Sequence, residues 1–186
     1  MQLIIRDLCK AYNGKMVLNR LSFTASAGLT IITGASGAGK TTLLRILMGL
    51  ENADSGTIAP DSLRWAAVFQ EDRLLLQLDA AGNLRFALGA AYDAKRSNEM
   101  LDALGLDDVG NKRVRDFSGG MKRRLALARA LLAPADAIAL DEPFTGMDAK
   151  NRAIAVQCIL RAAAQKIVLI TAHDAIDLHD ASHIAL

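Results

Sequence analysis

Residues 34–41 read Gly-Ala-Ser-Gly-Ala-Gly-Lys-Thr, a match to G-x-x-x-x-G-K-[ST]. A loop of this composition handles phosphate. Its glycines let the backbone wrap closely, so that N–H groups of Gly34, Ala35, Ser36, Gly37, Ala38 and Gly39 can turn inward as an anion nest. A helix that follows adds unpaired N–H groups and the positive end of its dipole. Lys40 would reach the β- and γ-phosphates, Thr41 would offer its hydroxyl to Mg²⁺, and Thr42 stands in the same first turn. The alternative is a glycine-rich turn opening an ordinary helix. An apolar run before the loop and a helical pattern after it favour the phosphate reading. Taken alone, the motif implies a binder of nucleoside triphosphates and nothing finer.

A second group of chemical residues is Ala137-Ile138-Ala139-Leu140-Asp141-Glu142, an apolar strand pattern ending in two acids. In a parallel sheet the ligand sits at the carboxyl ends of the strands. Asp141 is therefore placed to hold Mg²⁺ through a bound water. Neighbouring strand residues point to opposite sides, so Glu142 does not duplicate it. Glu142 can face the γ-phosphate and take a proton from an attacking water.

The elements that must position these groups are legible in outline. Leu29–Thr33, Trp65–Phe69, Ala137–Leu140 and Ile167–Thr171 are short apolar runs bounded by polar or turn residues, the pattern of buried strands. Thr41–Met48, Gly119–Leu132 and Asp148–Ala164 carry helical patterns. Alternation of the two predicts an α/β fold, a P-loop core on a mainly parallel sheet. Leu3–Leu8, Met16–Val17 and Leu21–Thr24, separated by signals such as Asn13-Gly14, predict a small N-terminal antiparallel meander. Residues 79–116 are Ala/Leu-rich, with Gly82, Gly89, Gly105 and Gly110 as breaks, and predict a helical insert.

Composition narrows the classes. The chain has 186 residues, enough for one domain with a real core, and 52% of them are hydrophobic. Its formal net charge of +2 argues against a dedicated nucleic-acid binder. No charge-free stretch approaches the ~18–20 residues of a membrane span, since Arg129, Pro134 and Asp136 interrupt Leu125–Leu140. Arg6, Asp7 and Lys10 break up the first apolar run, so no signal peptide is expected. Cys9 and Cys158 form no metal or redox pair and are expected as small buried groups. His179 and His183 lack a third ligand. Lys122, Arg123 and Arg124 are expected to form a solvated helix face, and Met121, Leu125, Ala128 and Leu132 a core stripe.

Phe117-Ser118-Gly119-Gly120-Met121 resembles the L-S-G-G-Q signature of ATP-binding cassette (ABC) ATPases, and Lys122 to Ala130 continue the likeness. With the P-loop and the acidic strand, the resemblance covers nearly the whole chain. It implies ATP and Mg²⁺ as ligands, and a helical signature subdomain at about 71–135 within a single cassette whose core and β-subdomain span about 1–70 and 136–186. Ser118, as helix N-cap, with Gly119, Gly120 and Met121 would close over ATP held by a second subunit. Tyr12 matches the adenine-stacking aromatic. Gln70 matches the glutamine that contacts Mg²⁺ and the attacking water, Asp148 the D-loop aspartate, and His173 the histidine that contacts the γ-phosphate. Met121 and Phe117 depart from the usual Gln and Leu, and Gly146-Met147 alters the D-loop. The short interval from Lys40 to Gln70 leaves less room for the β-subdomain.

The resemblance thus implies the ATP-hydrolysing subunit of an ABC transporter, peripheral on the cytoplasmic face of the membrane. Its implied partners are a second ATPase subunit, separate permease subunits and an extracytoplasmic substrate-binding protein, with no nucleic acid. Glu71-Asp72-Arg73-Leu74-Leu75-Leu76 resembles importers of the nitrate/sulfonate/taurine group. The same leucines either dock the permease or begin the helical insert facing inward. The second function reading is a non-transport ABC ATPase of DNA repair or translation. A P-loop kinase or GTPase is disfavoured by the signature and by the lack of Asn-Lys-x-Asp.

Overall fold

The computed structural model describes residues 1–172 and 181–186. In chain order the strands and α-helices are β1 (Gln2–Tyr12), β2 (Lys15–Ser26), β3 (Gly28–Thr33), α1 (Lys40–Leu47), β4 (Ser55–Ala59), β5 (Trp65–Val68), α2 (Ala80–Leu88), α3 (Ala94–Ala103), α4 (Gly119–Leu132), β6 (Ala137–Asp141), α5 (Ala149–Ala163), β7 (Ile167–Ala172) and β8 (Ser182–Ala185).

The fold is α/β, as expected, and is built on two sheets. β5, β6, β7, β3 and β8 lie side by side in that order, all parallel. Every residue of β6 and β7 is buried, as covering on both faces requires. Alternation then splits each strand between two cores. Ile32, Ala139 and Leu169 pack toward Leu43, Leu44 and Leu47 of α1 and toward the N-terminal sheet. Ile31, Leu140, Val168 and Ile170 pack toward Leu84 of α2, Leu101 of α3, Leu125 of α4 and Ile159 of α5. Asp79, Asp93, Ser118 and Asp148 cap α2, α3, α4 and α5, each accepting from the N–H three residues on.

The second sheet is antiparallel, in the order β2-β1-β4. Asn13 and Gly14 join β1 to β2 with φ of 50° and 77°. Two positive φ values in a two-residue turn match the twist of the flanking strands, which is why Asn-Gly suits the position. Three short strands were expected here. Two long ones occur, because register shifts after Ile5 and positive φ at Asp7 and Arg20 interrupt the alternation without ending the pairing. The third strand, β4, comes from the interval between Lys40 and Gln70 and pairs with β1.

The basic triplet on α4 departs from expectation. Arg123 and Arg124 are buried rather than solvated. Each guanidinium exchanges water for main-chain carbonyls: Arg124 Nη1 donates to the carbonyls of Leu104 and Gly105, both at 2.7 Å. The stripe on the same helix is core, with Leu125 and Ala128 inaccessible and Met121 and Leu132 packed against them. Cys158 is buried, while Cys9 is half-exposed and its Sγ accepts from the Arg20 N–H at 3.3 Å. Among the described residues no helix is long and apolar enough to cross a membrane. Leu125–Leu140 is divided between α4 and β6, with Ala133 already in extended geometry.

Candidate functional site

Four strand ends meet at the carboxyl edge of the parallel sheet. β3 delivers the glycine loop, β5 delivers Gln70, β6 delivers Asp141 and Glu142, and β7 delivers Thr171. Gly39 immediately precedes α1 with φ of 100°. A Cβ there would lie 2.7 Å from Val17 Cγ1, so the glycine is required both by its backbone angle and by the approach of β2. Lys40 is buried and its ammonium folds back over the loop, donating to the carbonyls of Gly34 at 2.6 Å and Ala35 at 3.0 Å.

The acidic pair is divided, but not by strand alternation, because β6 ends at Asp141 and Glu142 follows it in left-handed geometry. Asp141 ends β6 and is buried. Its Oδ2 accepts from the Thr41 hydroxyl at 2.8 Å and its Oδ1 from the Thr171 hydroxyl at 2.6 Å. Thr171 Oγ1 in turn accepts from the Glu142 N–H at 3.0 Å. Glu142 is half-buried with φ of 50°, left-handed geometry that non-glycine residues adopt only at a cost. Thr171 was missed in the sequence. Its signal was a polar residue next to the end of an otherwise apolar, fully buried strand, at the edge where ligands bind.

Tyr12, Ser36, Gly37, Gly39, Lys40, Thr41, Thr42, Gln70 and Glu142 line one cavity of about 300 Å³. Gly34, Ala35 and Ala38 complete the loop around it, with the Ala38 N–H donating to the Ala35 carbonyl at 3.1 Å. Tyr12 ends β1 at the hairpin and is 41% exposed. Its hydroxyl donates to Glu51 and the Lys10 ammonium lies 5.3 Å from its ring centroid, so the ring is held from its far end.

Oxygen donors suit a hard cation here. Thr41, Gln70 and Asp141 also share a second cavity beside the first. Among the described residues no group of three or more His, Cys, Asp and Glu could hold a metal. One carboxylate and one hydroxyl fit Mg²⁺, which takes few protein ligands and is completed by substrate phosphates and water.

The signature stands apart. Ser118 and Gly119 are exposed at the start of α4, and the Ser118 Oγ accepts from the Met121 N–H at 3.2 Å. None of residues 118–121 lines the phosphate cavity. Phe117 is buried, so the departure from Leu at that position faces the core. Asp148 is exposed and caps α5; its carboxyl is held below the usual carboxylate range, chiefly by the Asn151 N–H. His173 and His179 lie outside the described residues, and His183 is exposed on β8.

Comparison with known proteins adds a family. Residues 18–145 match the family model described as ABC transporter. The chain is 34% identical over 168 residues to the aliphatic sulfonates import ATP-binding protein SsuB 2 of Pseudomonas syringae pv. tomato, covering 89% of this chain and 72% of that protein. It is 37% identical to the Nod factor export ATP-binding protein I of Burkholderia lata, covering 90% of this chain and 61% of that protein. In fold it resembles a putative ABC transporter ATP-binding protein from Pyrococcus furiosus, with a TM-score of 0.88, 23% identity, and coverage of 100% and 98% of the two chains.

Proposed function

Because this chain belongs to the ABC transporter family, as an ATP-binding ATPase subunit, we propose that two copies sandwich ATP between them and drive a separate membrane permease. The observation that carries this reading is the one cavity onto which Tyr12, Lys40, Thr41, Gln70 and Glu142 open, with Asp141 bonded to Thr41 at its edge.

In this reading ATP is the substrate and its adenine stacks on Tyr12. Backbone N–H groups of residues 34–39 and the Lys40 ammonium neutralise the phosphates. Thr41 and Asp141, with Gln70, would hold Mg²⁺, whose chemistry is to offset charge on the β- and γ-phosphate oxygens. Glu142 accepts the proton of the attacking water, Gln70 orients that water, and His173 contacts the γ-phosphate. Ser118, Gly119, Gly120 and Met121 act on the ATP of the opposite subunit, and Asp148 borders that junction. The exposure of Ser118, Gly119 and Asp148, away from their own chain's phosphate cavity, supports a role in trans. Residues of about 71–135 form the signature subdomain, and about 1–70 with 136–186 the ATP-binding core and β-subdomain. The helical content of α2, α3 and α4 supports that division.

The partners are the permease and a second ATPase subunit, and the site of action is the cytoplasmic face of the membrane. We assign the transporter to the nitrate/sulfonate/taurine group of importers, working with an extracytoplasmic substrate-binding protein. The likeness to the sulfonate import protein supports this, while the likeness to an export protein makes direction part of the test. The repair or translation reading has no support from these relatives. Purification of the chain with its native permease, followed by uptake of a labelled alkanesulfonate in reconstituted vesicles, tests the assignment. ATP-dependent uptake supports it. A permease that exports its cargo, or one that takes up neither sulfonates nor nitrate, overturns it.

A further inference from the structure

The unexpected burial of Arg123 leads to the site. Arg123 lies in the second turn of α4, and its side chain is 5% exposed. Nη1 donates to the carbonyl of Phe69, to the carbonyl of Gln70 at 3.3 Å and to Asp72 Oδ1 at 3.1 Å. Nη2 donates to the carbonyl of Asp141 at 2.5 Å and to that of Glu142 at 2.7 Å. Four of the five acceptors are thus main-chain carbonyls, and they belong to two segments, the one that carries Gln70 and the one that carries Glu142. Nε has no partner among the described residues, so nearly all of the guanidinium's bonding goes to those segments and to the one carboxylate beside them.

We infer that Arg123 is a positioning residue that fixes the backbones of Gln70 and Glu142 in one frame and ties that frame to the signature helix. The inference rests on the assignment of Glu142 as general base. Glu142 sits in left-handed geometry and its backbone is held on both sides, its N–H by Thr171 Oγ1 and its carbonyl by Arg123 at 2.7 Å and, at a longer 3.3 Å, by the Thr145 N–H. Removing one holder lets the peptide turn, and the carboxylate moves with it. Ser118, which caps α4, is joined to Arg123 by little more than one rigid helical turn. A shift of the cap is therefore felt at both carbonyl pairs. Only a planar guanidinium spans the two segments, because its two Nη groups point apart at a fixed angle, whereas a lysine offers one point charge.

The discriminating variant is Arg123→Lys in the full chain, which keeps charge and approximate length. Misplacement of a catalytic group by about 1 Å can cost on the order of 10²-fold. The expected result is a fall in kcat of at least about tenfold, with KM for ATP and equilibrium ATP affinity within about twofold of wild type and Tm little changed. A residue that only holds the fold would move Tm and the active fraction while leaving kcat per folded molecule intact. Glu142→Gln, measured alongside, must already be slow. If it hydrolyses like wild type, the assignment of Glu142 fails, and the inference with it. If Glu142→Gln is slow and Arg123→Lys turns over at the wild-type rate, the inference alone is overturned. Because Arg123 also frames Gln70, the double variant Arg123→Lys/Glu142→Gln should lose less than the two single losses combined, and a fully additive loss also overturns the inference. Should Arg123→Lys fold poorly, Arg123→Gln carries the same test without a charge to bury. Asp72→Asn removes the ion pair but spares the carbonyl clamp. A kcat loss as large as that of Arg123→Lys would assign the effect to the pair and refute the clamp.

Discussion

The Thr41 hydroxyl donates to Asp141 Oδ2 at 2.8 Å, although Thr41 sits in α1 beyond β3, Asp141 ends β6, and those two strands are not neighbours. β7 lies between β3 and β6, and its Thr171 occupies the other carboxylate oxygen. Thr171→Val should therefore do two things. It leaves the buried Asp141 short of one donor and the Glu142 N–H without its acceptor, at a cost of about 1–3 kcal/mol, readable as a lower urea midpoint. It should also lower the hydrolysis rate. A variant as stable and as active as wild type would remove Thr171 from the site.

Glu142→Gln should retain ATP binding and lose hydrolysis by about 10²–10⁴, the usual contribution of a general base. The amide keeps the shape and cannot accept the proton. ATP should then hold two subunits together, visible as a doubled mass in light scattering.

Lys40→Ala and Ser118→Arg should fail differently. Lys40→Ala removes the cation over the loop, so labelled ATP should bind weakly even to the single subunit. Ser118→Arg leaves that cavity untouched and should bind ATP normally, yet not dimerise. Equal effects of the two variants on single-subunit binding would refute the separation of the two half-sites.

The leucine run after Gln70 now divides. Leu74 packs against the main core, Leu75 is half-buried, and Leu76 is 48% exposed. Leu74→Asp should lower Tm by placing a charge against apolar neighbours. Leu76→Asp, or Phe86→Asp on the exposed face of α2, should leave Tm unchanged and weaken retention of the permease during purification. A folded Leu76→Asp/Phe86→Asp chain that retains the permease fully would exclude docking through that surface.

Acid should act through Asp136. Arg64 donates to both of its oxygens, and these bonds hold the carboxyl down at about 2, against an ordinary 3.8. A carboxyl depressed in the folded state contributes stability above its unfolded value and loses it as pH falls toward the folded one. Wild type should therefore lose stability between pH 3.8 and about 2, and Arg64→Ala should show a flatter dependence across that window in urea titrations.

The parts of the site that could be read in the sequence are those whose chemistry is local. The glycine loop, the acidic strand end and the cap at Ser118 are contiguous, and each lies where it was expected. Of the core strands, β3, β6 and β7 were legible because burial on both faces leaves an unbroken apolar run, and β5 because its residues are apolar although half of them are only partly buried. β8 was not, since a four-residue edge strand with His183 exposed carries no such run. Arg123 misled because the burial of a cation depends on distant carbonyls, and nothing adjacent in the chain announces them. Tyr12 was singled out by resemblance, but its bond to Glu51, 39 residues further along the chain, was not legible in the sequence.

The order β5-β6-β7-β3-β8 has one more consequence. The groups around the phosphate cavity come from the end of β1, the loop after β3 and the segments after β5 and β6, so the glycine loop carries only part of the pocket and the fold must bring Tyr12, Gln70 and Glu142 to it. Nucleotide bound across these groups would act as a clasp over strands that the chain itself does not join in sequence. At a hundred times its dissociation constant, a ligand of that kind stabilises the native state by about 2.7 kcal/mol. The melting temperature of this protein should accordingly follow the ATP concentration around it, and nucleotide scarcity would be felt first as a loosening of the sheet's carboxyl edge.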